Sequence, residues 1–189
     1  MKEALQSLLS ETKKLAGEIK RLDAMEAGAR TAIVQATDED VTAPDVQKRI
    51  SDARLTLELV SARRSKLRPP LSVAHNRLKE QFKAEVDAWN NRVVAARKAK
   101  EAEIVRANLP FYENSEREFR RHFNFDSVPA MYHFRRAFTE VPRYENPAQA
   151  DLARDAGLLL DHIERWSKKL GILADLEHNT LATQSYANY

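Results

Sequence analysis

Two five-residue phrases are the places where this chain could act on another molecule. They are Phe119-Arg120-Arg121-His122-Phe123 and Phe134-Arg135-Arg136-Ala137-Phe138, fifteen residues apart. Arginine pairs framed by aromatic rings can stack on nucleobases and hold phosphates. In a helix the spacing has a plainer meaning. Phe residues four apart share one face and the arginines point elsewhere, so the phrase reads first as phenylalanine inward and arginine outward.

Two further basic groups could grip a phosphate backbone or an acidic partner: Arg63, Arg64, Lys66 and Arg68, then Arg97, Lys98 and Lys100, with Arg92 and Arg106 beside the latter. Residues 44–106 carry 15 basic and 8 acidic side chains, against 6 and 8 in residues 1–43 and 10 and 12 in residues 107–189. The middle of the chain is therefore its one basic part, fit to attract an acidic surface. Charges on helices more commonly form solvated faces laced with i,i+4 pairs, and Glu101 and Glu103 stand ready for that.

Catalytic and metal chemistry find little support. The five histidines, His75, His122, His133, His162 and His178, form no H-E-x-x-H pair, and Asp175-Leu176-Glu177-His178 stands alone. There is no cysteine, which excludes thiol catalysis, disulfides and zinc–thiolate sites. Four scattered glycines supply neither a Walker A loop nor a dinucleotide fingerprint. Carboxylate pairs such as Asp151/Asp155 and Asp161/Glu164 have helical spacing, as most surface carboxylates do. The expectation is a protein that is not an enzyme and takes no cofactor and no metal.

The elements that would position these residues are helices. Leu5, Leu8, Leu15, Ile19, Leu22, Ala29, Ile33 and Ala36 follow alternating three- and four-residue steps, broken by Thr12 and Glu26. That is one narrow stripe buried against another helix. It predicts a first helix from about Lys2 to Ala36, about 50 Å long at about 1.5 Å per residue. Thr37-Asp38-Glu39-Asp40 reads as a loop. Thr42-Ala43-Pro44-Asp45 reads as a helix start, with Thr42 and Asp45 as a capping box and Pro44 in the first turn.

The stripe resumes with Val46, Ile50, Ala53, Leu57, Val60 and Leu67, interrupted by Arg64. A short loop between two such helices favours an antiparallel hairpin, and Glu26 and Arg64 would meet if its register allowed. Pro69-Pro70 is expected to end or sharply kink the second helix. A third helix is expected from about Leu71 to Asn108, where Leu71, Phe82, Val93 and Ile104 fall eleven apart with Leu78 and Trp89 on the same face. Nine of the fourteen Phe, Tyr and Trp residues lie in 110–145, where short helices are expected over 116–123 and 128–139. A last helix should start with Asn146 as cap and Pro147 at the first position, bury Leu152, Ala156, Leu159, Ile163, Trp166 and Leu170, and stop at Gly171.

The expected fold is thus all-α. It comprises an elongated coiled-coil-like bundle of three long helices over 1–108, a small aromatic-rich helical subdomain over 109–175 and a polar tail over 176–189. No stretch approaches the roughly 20 apolar residues of a membrane span and no signal core opens the chain, so a soluble, cytoplasmic protein is expected. The leading functional expectation is a non-catalytic structural, assembly or adaptor protein, acting through helix–helix contact with a protein partner or its own copy. The alternative is a sequence-tolerant nucleic-acid binder using the basic middle and the Phe-Arg-Arg phrases.

Overall fold

The repeating apolar stripes form helices that pack along their length. The structure, a computed structural model, describes residues 2–108, 136, 138–145 and 151–175. They contain α1 (Lys2–Thr37), α2 (Pro44–Asn108) and α3 (Leu152–Asp175), and among the described residues there is no strand. The contacts divide the chain into two compact units, Met1–Phe82 with Asp151–Ala156 and Lys83–Ala150 with Gly157–Tyr189.

In the first unit α1 and α2 form an antiparallel hairpin, with Arg49 paired to Glu39, Arg64 to Glu26 and Arg63 to Glu18. Every α1 stripe position is buried or half-buried, from Leu5 and Leu8 through Leu15, Ile19, Leu22 and Ile33 to Ala36. So are Val46, Ile50, Ala53, Leu57, Val60 and Leu67 on α2. Thr12 sits in this seam without a polar partner on the facing helix. Its hydroxyl donates 2.8 Å to the Leu8 carbonyl of its own helix, which is how threonine hides in an apolar stripe.

The hairpin turn is built differently from the expected capping box. One Asp40 carboxylate oxygen accepts both the Thr42 amide at 3.0 Å and the Thr42 hydroxyl at 2.6 Å. The Ala43 carbonyl takes the first intrahelical bond, from the Gln47 amide at 3.0 Å. The cap position thus falls on Ala43, one residue past Thr42, whose own amide and hydroxyl turn back to the charged Asp40 acceptor in the loop. Pro44 does occupy the first helical position, where its missing amide costs nothing.

The expectation of a break at Pro69-Pro70, and with it of three helices in 1–108, is corrected. α2 runs through both prolines as one helix of 65 residues. Each proline removes one i→i−4 bond, so the carbonyls of Ser65 and Lys66 lose their partners. Ser65, Lys66, Pro69 and Pro70 are all exposed, and water can serve those carbonyls. Leu67 and Ala74 are buried on either side of them, so the seam with α1 holds the helix across the weak point.

The burial pattern of α2 also changes period. Val46, Ala53, Val60, Leu67 and Ala74 are buried seven apart, then Phe82, Val93 and Ile104 eleven apart. A seven-residue repeat winds a helix pair left-handedly, whereas an eleven-residue repeat does not.

In the second unit Trp89, Val93 and Ile104 of α2 form one core with Phe138, Val141, Leu170 and Leu173. The segment 138–145 is clasped onto α2 through its backbone. The Trp89 Nε1–H donates to the Pro142 carbonyl at 3.2 Å. The Asn90 amide both donates to the Tyr144 carbonyl at 3.2 Å and accepts from the Tyr144 N–H at 2.8 Å. Two features of the last helix differ from expectation. Asp151, itself not helical, is its cap, its carboxylate accepting the Arg154 amide at 3.1 Å, while the expected cap Asn146 and first position Pro147 lie outside the described residues. Gly171 lies inside α3, with no residue of positive φ among the described residues. Leu170 and Leu173 bury on either side of it, and that packing carries the helix past the glycine.

Candidate protein interaction surface

The seam of the hairpin holds one ionic group. Arg64, the polar residue that breaks the α2 stripe, places Nη2 2.5 Å from Glu26 Oε2 and 2.6 Å from Asp23 Oδ1. Glu26, the residue that breaks the α1 stripe, also accepts from Arg30 at 2.7 Å. The side chains of Arg64 and Glu26 are 21% and 22% exposed. Hydrogen bonding to Arg64 first, then to Arg30, holds the Glu26 carboxyl below its usual range, and Glu26 in turn raises Arg64. The Arg64 Nε is buried without a hydrogen-bond partner, so this guanidinium belongs to the seam.

The opposite face of α2 carries a feature that the sequence reading passed over. Leu55, Leu59, Ala62, Lys66, Pro69 and Val73 follow four- and three-residue steps, and all are exposed. Leu55, Leu59 and Val73 stand 55%, 62% and 51% open. At 100° per residue this second stripe lies diametrically across the helix from the one covered by α1. Its signal was present in the sequence as a second heptad register, masked because attention to the first register leaves these leucines as isolated surface residues. Grooves flank the hairpin on either side. One, of about 490 Å³, is lined by Ile50, Arg54, Leu55 and Glu58, and the other, of about 570 Å³, by Met25, Gly28, Ala32 and Asp52.

The expected phosphate-binding residues fare unevenly. Arg64 is withdrawn from that role by the seam pair. Lys100 is withdrawn too: it is 3% exposed, with Nζ 2.9 Å from both Glu103 carboxylate oxygens. A buried, charge-neutralised ammonium offers nothing to a phosphate. Arg63 leans on Glu18 at 3.5 Å and Arg97 on Glu101 at 3.0 Å, while Lys66, Arg68 and Lys98 are exposed. Of the two Phe-Arg-Arg phrases, Arg120, Arg121 and Arg135 lie outside the described residues. Arg136 is exposed and Phe138 buried, as the inward-phenylalanine reading requires.

In the second unit three aromatic rings surround His162. Trp89 and Tyr144 meet it edge-on at 5.4 Å and 5.2 Å, and Trp166 lies tilted to it at 6.4 Å. Its Nε2 lies 3.2 Å from the Pro142 carbonyl. A carbonyl only accepts, so Nε2 carries the proton. Burial lowers the His162 pKa, the Pro142 carbonyl opposes that, and Arg165 adds to it. The ring therefore closes the clasp on 138–145, and with Tyr144, Asp161, Arg165 and Trp166 it lines a cleft of about 550 Å³. Lys169 pairs with Glu140 and stands 5.7 Å from the Trp166 ring.

Among the described residues no three acidic or histidine side chains gather to hold a metal ion, and no helix is long and apolar enough to cross a membrane. Comparison with family models, with curated proteins and with solved structures finds no match for this chain.

Proposed function

We propose that this chain is a non-catalytic assembly or adaptor protein, a subunit that works by helix–helix contact with a protein partner. The observation that carries the reading is the second stripe on α2. A helix with one apolar face needs one neighbour, and α1 is that neighbour. A helix with two opposed apolar faces is stable in water when both are covered.

The test places a photo-crosslinking side chain at Leu59 and, as a control, at exposed Glu11 of α1. Discrete protein adducts from position 59, lost on Leu55→Asp with helicity unchanged, are the expected result. Equal, diffuse labelling from both positions would count against the reading.

Nucleic-acid binding is the second reading, supported by the basic excess of residues 44–106 and the exposed heads of Lys66 and Arg68. Fluorescence anisotropy with labelled oligonucleotides tests it. Affinity falling linearly with salt on logarithmic axes would count the phosphates neutralised, and charge reversal at Lys66 and Arg68 should flatten that slope. Absence of binding at low salt removes this reading.

A further inference from the structure

The second stripe also specifies what covers it. We infer that its occupant is a second copy of this chain, docked through the same stripe in antiparallel, two-fold fashion centred on residue 64. This rests on the helix–helix reading above and goes beyond it by naming the partner and its register.

The argument is charge complementarity along one seam. Extended two steps further at each end, the exposed positions read Lys48, Asp52, Leu55, Leu59, Ala62, Lys66, Pro69, Val73, Asn76 and Glu80. A two-fold axis at residue 64 sets Leu55 against Val73 of the second copy, Leu59 against Pro69 and Ala62 against Lys66. The same axis sets Lys48 against Glu80 and Asp52 against Asn76. Lys66 then lies one turn from Glu58 of the second copy, which is also exposed. The apolar pairs Leu55–Val73 and Leu59–Pro69 thus recur on each side of the axis, Lys48 faces Glu80 at each end, and the two Lys66 side chains nearest the axis each face Ala62 with Glu58 of the second copy one turn away, the self-complementary pattern of an isologous interface. A parallel arrangement in the same register would oppose Lys48 to Lys48, Asp52 to Asp52, Lys66 to Lys66 and Glu80 to Glu80. Like charges at facing positions select against it. Every residue used lies in the first unit and on one helix, so the pairing needs no other part of the molecule.

The chain has no cysteine, which makes disulfide mapping clean. Leu55→Cys and Val73→Cys variants of the full chain are oxidised separately and as a mixture. Residues 55 and 73 are about 27 Å apart along α2 at about 1.5 Å per residue, so only contact between copies can join them. The expected result is a covalent dimer in the mixture, little from either variant alone, and a wild-type light-scattering mass of twice 21.6 kDa. Leu59→Asp, which strikes the seam twice, should raise the dimer dissociation constant about a hundredfold, with circular dichroism confirming that helicity persists.

Self-crosslinking of Leu55→Cys alone overturns the antiparallel register. A monomeric mass at all concentrations overturns the second copy as occupant. In that case discrete adducts from position 59 to a different protein leave the helix–helix reading standing, and their absence removes both.

Discussion

Arg64 and Glu26, the two residues that interrupt the apolar stripes of their helices, are each other's partners across the hairpin, 2.5 Å apart. Polar residues at seam positions are tolerable where they face one another, and a one-step slip would leave each charge against an apolar neighbour. The pair therefore fixes how α2 slides on α1.

Removing one partner should hurt more than removing both. Glu26→Ala leaves the Arg64 guanidinium in the seam with Asp23 alone and should lower the melting temperature more than Arg30→Ala, which touches the same carboxylate from outside. Glu26→Leu with Arg64→Leu should restore or exceed the wild-type value, because apolar replacement of a partly buried pair is commonly neutral or stabilising. A double variant no better than Glu26→Ala would show that the charges themselves hold the hairpin.

His162 gives the second unit an acid sensitivity. Its pKa is lowered from 6.5 in the folded chain, by burial first and then by Arg165. The unfolded chain thus takes up the proton first as pH falls. Stability is therefore full above about pH 6.5 and drains below it until the folded imidazole protonates as well. Arg143, Glu145 and Asp161 border the same cleft. Glu26 acts in a separate window: its pKa is lowered from 4.5, so its contribution is complete above that value and lost further into acid. Melting temperature followed from neutral pH downward should show an upper step that His162→Phe removes and a lower step that it leaves in place.

Asn90 holds Tyr144 through both backbone groups. Asn90→Leu leaves that N–H and C=O without their partners, at a cost of about 1–3 kcal/mol. Amide hydrogen exchange at Tyr144 should accelerate far more than exchange in α1. Equal acceleration throughout would mean that the unit melts as a whole.

The prolines of α2 are a built-in weakness. Pro69→Ala with Pro70→Ala should return two backbone bonds to a continuous helix and raise stability by about 1–3 kcal/mol, part of the helical gain being offset by the freer unfolded chain. Circular dichroism and urea melts check this. A fall in stability would mean that the chain turns at this point.

What was legible in the sequence followed from periodicity. The inner stripe from Leu5 to Ala36 and from Val46 to Leu67 is buried as its spacing implies, and the Glu26–Arg64 encounter followed from two interruptions in matching stripes. Local rules misled where packing outweighed them. Pro69-Pro70 reads as a stop only until Leu67 and Ala74 are seen pinned on either side, and Gly171 reads as a cap only until Leu170 and Leu173 are. Thr42 is not the cap because α2 begins one residue later, with the Ala43 carbonyl taking the first helical bond, and the Thr42 hydroxyl is spent on Asp40. The clasp of Asn90 on Tyr144 was out of reach, because it joins residues 54 apart that no pattern links. The outer stripe from Leu55 to Val73 was legible and overlooked, since one register had already accounted for the helix.

The change of period in α2 sets a ruler. A helix laid against the seven-residue stripe keeps step only while that repeat lasts. Beyond Ala74 the buried positions shift to elevens, and a helix winding left-handedly would drift off them. On its buried face the spacing of α2 itself thereby marks where a partner wound left-handedly must change its twist.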